Sequence, residues 1–178
     1  MRIRTSIVVA ALLAATAWTA CGGEATVATP TAQVVQRIFP STRMYSVDDL
    51  KAVGLKVMHV YDVGGLPHAQ SAIHGTFERL EFEARFYASQ ADAVAHGEAL
   101  ADEVSGPDAI VTGPDVRWEE GAAHRRLCSR AAQTPHSGCS YSARYGDYMI
   151  RGNMVLLCEG QTSELAMKAC GDLLEGVP

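Results

Sequence analysis

Five cysteines, at 21, 128, 139, 158 and 170, and six histidines, at 59, 68, 74, 96, 124 and 136, are the side chains here best suited to hold a metal or attack a substrate. Their spacing argues against both uses. No two cysteines form the C-x-x-C pair typical of a zinc site, and no two histidines stand four apart or within H-E-x-x-H. Glu81 and Glu83 share one face of an alternating segment, as the carboxylates of a glycosidase could, but charges on the solvated face of an edge strand account for them more simply. There is no G-x-S-x-G elbow, no P-loop and no dinucleotide fingerprint. No catalytic residue, metal ligand or cofactor is assigned.

One stretch is a candidate binding patch. Trp118, Glu119, Glu120, Arg125 and Arg126 bring an aromatic, two acids and two arginines into a poorly patterned region, and loops of that composition recognise partners. The plainer alternative makes Trp118 a filler at the edge of the core, with the charges solvated.

The amino terminus decides where this chemistry would take place. Arg2 and Arg4 precede an apolar run from Ile7 to Ala17 that is short for a membrane span, which is the build of a secretion signal. The signal ends in Trp18-Thr19-Ala20-Cys21-Gly22-Gly23, which resembles the lipobox of bacterial lipoproteins, although Trp18 stands where that pattern normally has an aliphatic residue. The resemblance implies cleavage before Cys21, lipidation of its thiol and attachment to the outer face of a membrane. Cleavage after Ala15-Thr16-Ala17 would give a secreted protein instead. Lipidation of Cys21 leaves an even set, Cys128, Cys139, Cys158 and Cys170, suited to disulfides in an oxidising compartment. The expected pairs are Cys128 with Cys139 and Cys158 with Cys170. Loss of residues 1–20 removes two arginines and no acid from a chain already at −5, so nucleic acid is excluded as a partner.

Several elements must position these residues. Residues 21–40 are rich in Gly, Ala, Thr, Val and Pro and read as a tether; the domain is expected over 41–178. Ser46 with Asp48 and Asp49 starts a short helix ending at Gly54, and 56–63 is a strand by its β-branched and aromatic content. A short helix is expected over 67–73. Phe82, Ala84 and Phe86 alternate with Glu81, Glu83 and Arg85 in a half-buried strand. Ser89 caps a helix reaching 105, whose Gly97 would let it lie close to the sheet. Short strands are expected at 109–112 and 116–118. Two apolar runs meeting at Arg151-Gly152-Asn153 form a central hairpin, and Thr162 or Ser163 caps a last helix to 175, with Leu165, Ala166, Ala169, Cys170, Leu173 and Leu174 facing inward.

The expected fold is α+β: a mainly antiparallel sheet of about four or five strands, with helices packed on one face. The expected function is a non-catalytic binding or sensing module at the cell envelope, held to the membrane through lipidated Cys21 and serving an envelope protein or a small ligand. An envelope hydrolase is the alternative, if a cleft gathers an acid or serine with His68, His74 or His124. A small-ligand carrier is the third.

Overall fold

A computed structural model describes residues 35–127 and 142–177. Its strands are β1 (Ile38–Phe39), β2 (Lys56–Tyr61), β3 (Ser71–Phe77), β4 (Leu80–Phe86), β5 (Tyr145–Arg151) and β6 (Met154–Glu159), which form one sheet in the order β1-β5-β6-β4-β3-β2. Every neighbouring pair is antiparallel except β1 with β5. The helices are α1 (Val47–Ala52), α2 (Gln90–Asp92), a π-helical turn (Ala93–Gly97), α3 (Glu98–Asp102), α4 (Glu119–Arg125) and α5 (Ser163–Glu175). None of these helices is long and apolar enough to cross a membrane.

The hairpin of β5 and β6 is the centre of the core. Gly152 takes a positive φ of 54° at its turn, a conformation that L side chains avoid. Asn153 beside it accepts the Tyr45 N–H at 2.5 Å and donates to the carbonyls of Tyr45 and Tyr87 at 3.1 and 3.0 Å. One buried amide thus fastens the chain entering α1 and the chain leaving β4 to the hairpin tip.

The α+β class and the mainly antiparallel sheet are as the sequence implies, but there are six strands and the helices cover both faces. Met154, Leu156 and Cys158 on β6 pack with Leu50 of α1 and Ala166, Ala169, Cys170 and Leu173 of α5. Val155 and Leu157, pointing the other way, pack with Ala93 and Ala101 of the interrupted helix. That two-sided burial is why β6 reads as an unbroken apolar run. Gly97 does bring its helix down onto the sheet: an added Cβ would lie 2.7 Å from Val155 Cγ2 and 2.8 Å from Tyr87 Oη.

Other expectations change. The short helix over 67–73 is a loop entering β3, and 109–112 and 116–118 form no strand, being held instead by Ile110 N–H donating to Glu103 O at 2.8 Å and by an Arg117–Glu103 ion pair. β1 lies at 38–39, within residues 21–40, and pairs with β5. Leu165 is exposed rather than inward. Cys158 and Cys170 are bonded, with their Cα atoms 5.6 Å apart, joining β6 to α5. Cys21, Cys128 and Cys139 lie outside the described residues.

Candidate functional site

The register of β2, β3 and β4 lays a stripe of polar side chains across the face under α4. His59 lies opposite His74, and His74 opposite Glu83, while alternation along β4 puts Glu81, Glu83 and Arg85 on that same face. α4 has no apolar stripe; it buries Gly121 and Arg125. Arg125 grips Glu83 with both arms, Nε donating to Oε2 at 3.0 Å and Nη2 to Oε1 at 2.9 Å. Arg85 Nε donates to the same Oε1 at 2.7 Å. Both guanidiniums lie over the Trp118 ring, at 5.5 and 4.6 Å from its centroid, where the aromatic quadrupole attracts cations. Burial opposes ionisation of Glu83, but the charges of Arg85 and Arg125 prevail and hold its pKa at about 2.

Outside this buried knot is a partly exposed cluster. His74 and His124 stack with ring centroids 4.4 Å apart, His124 Nδ1 lies 3.0 Å from Tyr61 Oη, and His59, 5.4 Å from His124, sets Nε2 3.3 Å from Glu120 Oε1. His74 Nε2 is 2.8 Å from Glu81 Oε2, and Glu81 Oε1 is 2.8 Å from Arg144 Nη1. Arg144 also donates to the carbonyls of His124 and Arg126 at 2.7 and 3.1 Å, tying the end of α4 to the start of β5. Glu159 Oε2 accepts the Glu81 N–H at 2.7 Å and stands 3.8 Å from Arg144 Nη1.

These neighbours set the titrations apart. Burial, with His74 and His59 nearby, pushes the His124 pKa down. Burial pushes the Glu159 carboxyl up, with only partial relief from the Glu81 N–H and Arg144. Glu81 goes the other way, because the bond with His74 and the charge of Arg144 outweigh burial.

A groove of about 460 Å³ adjoins the cluster, lined by Leu80, Arg144, Glu159, Leu165, Lys168 and Ala169 among others. Arg144 and Glu159 therefore belong both to the apolar groove and to the titratable cluster. No group of three His, Cys, Asp or Glu among the described residues is arranged to hold a metal ion.

The patch singled out in the sequence is divided by the fold. Trp118 and Arg125 are buried, Glu119 and Glu120 are exposed and Arg126 is half-buried. Trp118 therefore acts as a core-edge filler. Glu83, taken from the sequence as a solvated charge, is fully buried because β4 lies inside the sheet rather than at its edge. His74 and His124 come together across elements, while His68 stacks instead on His96, with centroids 3.8 Å apart. The sequence reading named His74 and His124 only as alternatives to be joined to an acid or serine, and it missed His59 and Arg144, since no local spacing joins β2, β3, α4 and β5.

A family model matches residues 46–178. The chain belongs to DUF6810, a family of unknown function. No curated protein and no solved structure matches it. The matched DUF6810 region holds every residue of the stripe, the cluster and the groove, while β1 precedes it.

Proposed function

We propose that this DUF6810 chain is an exported, lipid-anchored, non-catalytic binding module, and that its groove takes a small amphipathic carboxylate in a manner sensitive to pH. Arg144 carries the reading. It is the buried cation of an apolar groove whose other cation, Lys168, is exposed and paired with Asp172, and its nearest groove acid, Glu159, is the one that burial makes easier to neutralise. A ligand carboxylate would share Arg144 with Glu81, which stays ionised, and compete with Glu159 for it. Acidification protonates Glu159 before an ordinary exposed carboxylate, so binding tightens as pH falls. Export is supported by the signal-like leader and by the Cys158–Cys170 bond, which suits an oxidising compartment.

Calorimetric titration with decanoate at pH 5.5 and 7.5 is the direct test. The expected result is saturable binding, tighter at the lower pH, that is weakened by Leu165→Glu at the exposed rim of the groove. Absence of saturable binding at both pH values removes the ligand reading. Mass spectrometry of the unreduced protein from its native membranes tests the anchor separately: acyl chains on an amino-terminal Cys21 are expected, and an intact Met1 with free thiols overturns it.

A second reading rests on one contact. His74 with Glu81 forms an acid–imidazole pair beside the groove, as a hydrolase would require, although none of the hydrogen bonds described for His74 joins it to a hydroxyl or thiol. Turnover of a decanoate ester that His74→Gln abolishes would favour it.

A further inference from the structure

The buried knot carries one more positive charge than negative, and its donors outnumber its acceptors. Glu83 has both oxygens engaged, Oε1 by Arg85 Nε and Arg125 Nη2, and Oε2 by Arg125 Nε. Arg85, wholly buried, has no acceptor for Nη1 or Nη2 among the described residues, and the buried Tyr87 and Tyr145 hydroxyls are likewise unpartnered there. The Arg85 guanidinium stands close enough to Tyr87 to favour its phenolate, against the stronger effect of burial. The Tyr87 hydroxyl is neutral and leaves the charge in place. Arginine does not shed its proton in a protein, so the excess charge needs a counter-charge. Water could occupy the donors but could not neutralise them.

Among the described residues, the surroundings of the Arg85 guanidinium offer it no other counter-charge. Trp118 lies on one side of Arg85, and Ala72 of β3 and Val155 of β6 flank it along the sheet. The π-helical turn closes over Tyr87, where Gly97 leaves no room for a methyl group. π-Turns inside α-helices are common at functional sites, and this one lies above unsatisfied donors.

From these residues we infer that the domain holds a buried, halide-sized monovalent anion against Arg85 Nη1 and Nη2 and the Tyr87 hydroxyl. The ion completes the knot that fastens α4, so it is a structural ligand of the fold and independent of what the groove binds.

Two measurements on the purified protein test this. Crystals grown without halide and soaked in sodium bromide should give an anomalous peak at hydrogen-bonding distance from the Arg85 guanidinium. In solution, replacing sodium gluconate with sodium chloride at equal ionic strength should raise Tm by about 3–6 °C at saturation. Arg85→Met, which removes the charge, should abolish that salt-specific rise. If this variant does not fold, the wild-type measurements decide alone. Melting curves that superimpose in the two salts, with or without a bromide peak at soaking concentration, overturn the inference, as does a site occupied by water alone.

Discussion

Arg125, Glu83 and Arg85 show how a single side chain can matter more to this fold than a stretch of apolar ones. A buried ion pair broken on one side leaves a charge stranded in the interior, which costs about 3–5 kcal/mol, whereas removing all its members together can be close to neutral. Glu83→Gln, which strands both Arg85 and Arg125 without their carboxylate, is therefore expected to lower the urea midpoint far more than a surface substitution such as Glu119→Ala. Acid should act on the same knot. The carboxyl of Glu83 sits well below its unfolded value, so its stabilising contribution is present above about pH 4.5 and is lost as pH falls towards 2. His124 acts earlier. Its pKa is depressed, so the unfolded chain takes up the proton first, and stability begins to fall below about 6.5, the ordinary histidine value. Unfolding free energies measured from pH 8 to 3 should show both phases, and His124→Gln should remove only the first. None of this is legible in the sequence, where Glu83 and Arg85 look like the wet side of a strand and Arg125 like a surface charge beside Arg126.

Elements were legible where apolar period and punctuation agreed, and not where a polar residue did the anchoring. The hairpin, α1, β4 and α5 follow from turn residues, caps and alternation: Ser46 and Asp49 form a full capping box, and Thr162 caps α5. β3 was hidden because Pro67 suggested a helix start and because His74 and Gly75 sit inside a strand covered on both sides. α4 was hidden because its inward residues are Gly121 and Arg125, which leave no hydrophobic period to read. Gly97 tests the balance within an element. Alanine there gains about 1 kcal/mol of helix propensity, but its methyl would meet Val155 and the Tyr87 hydroxyl, and overpacking costs about 1–3 kcal/mol. A lower Tm for Gly97→Ala is expected, and a higher one would show that the π-turn relaxes. The Cys158–Cys170 bond offers a second test. It closes a separation of 12 residues, so replacing both cysteines with alanine should cost about 3 kcal/mol in denaturant unfolding.

For the whole molecule, the open question is where the folded unit begins, because the family match starts at Ser46 whereas β1 lies before it. β1 covers the outer edge of β5, and Ile150 N–H donates to Arg37 O at 2.8 Å. The Arg37 side chain reaches further: its Nε donates to Asp147 Oδ1 at 2.6 Å, and Asp147, wholly buried, also accepts from the Tyr148 N–H and the Ser163 hydroxyl at the first turn of α5. A composition of Gly, Ala, Thr and Pro made this leader look like a tether, and two residues of strand are too short to register as a period. A chain started at 46 would lose the counter-charge of Asp147 and expose the β5 edge as a template for pairing with other molecules. Compared with a chain started at 35, it should be less stable by more than the roughly 1–3 kcal/mol of one unpaired buried polar group, since Asn153 also loses Tyr45, and should elute partly as larger species in gel filtration. Arg37→Ala within the longer chain separates the two causes. It should reproduce only the part of the loss that comes from Asp147, without the association, since the β1 backbone would still cover the edge and Tyr45 would still hold Asn153.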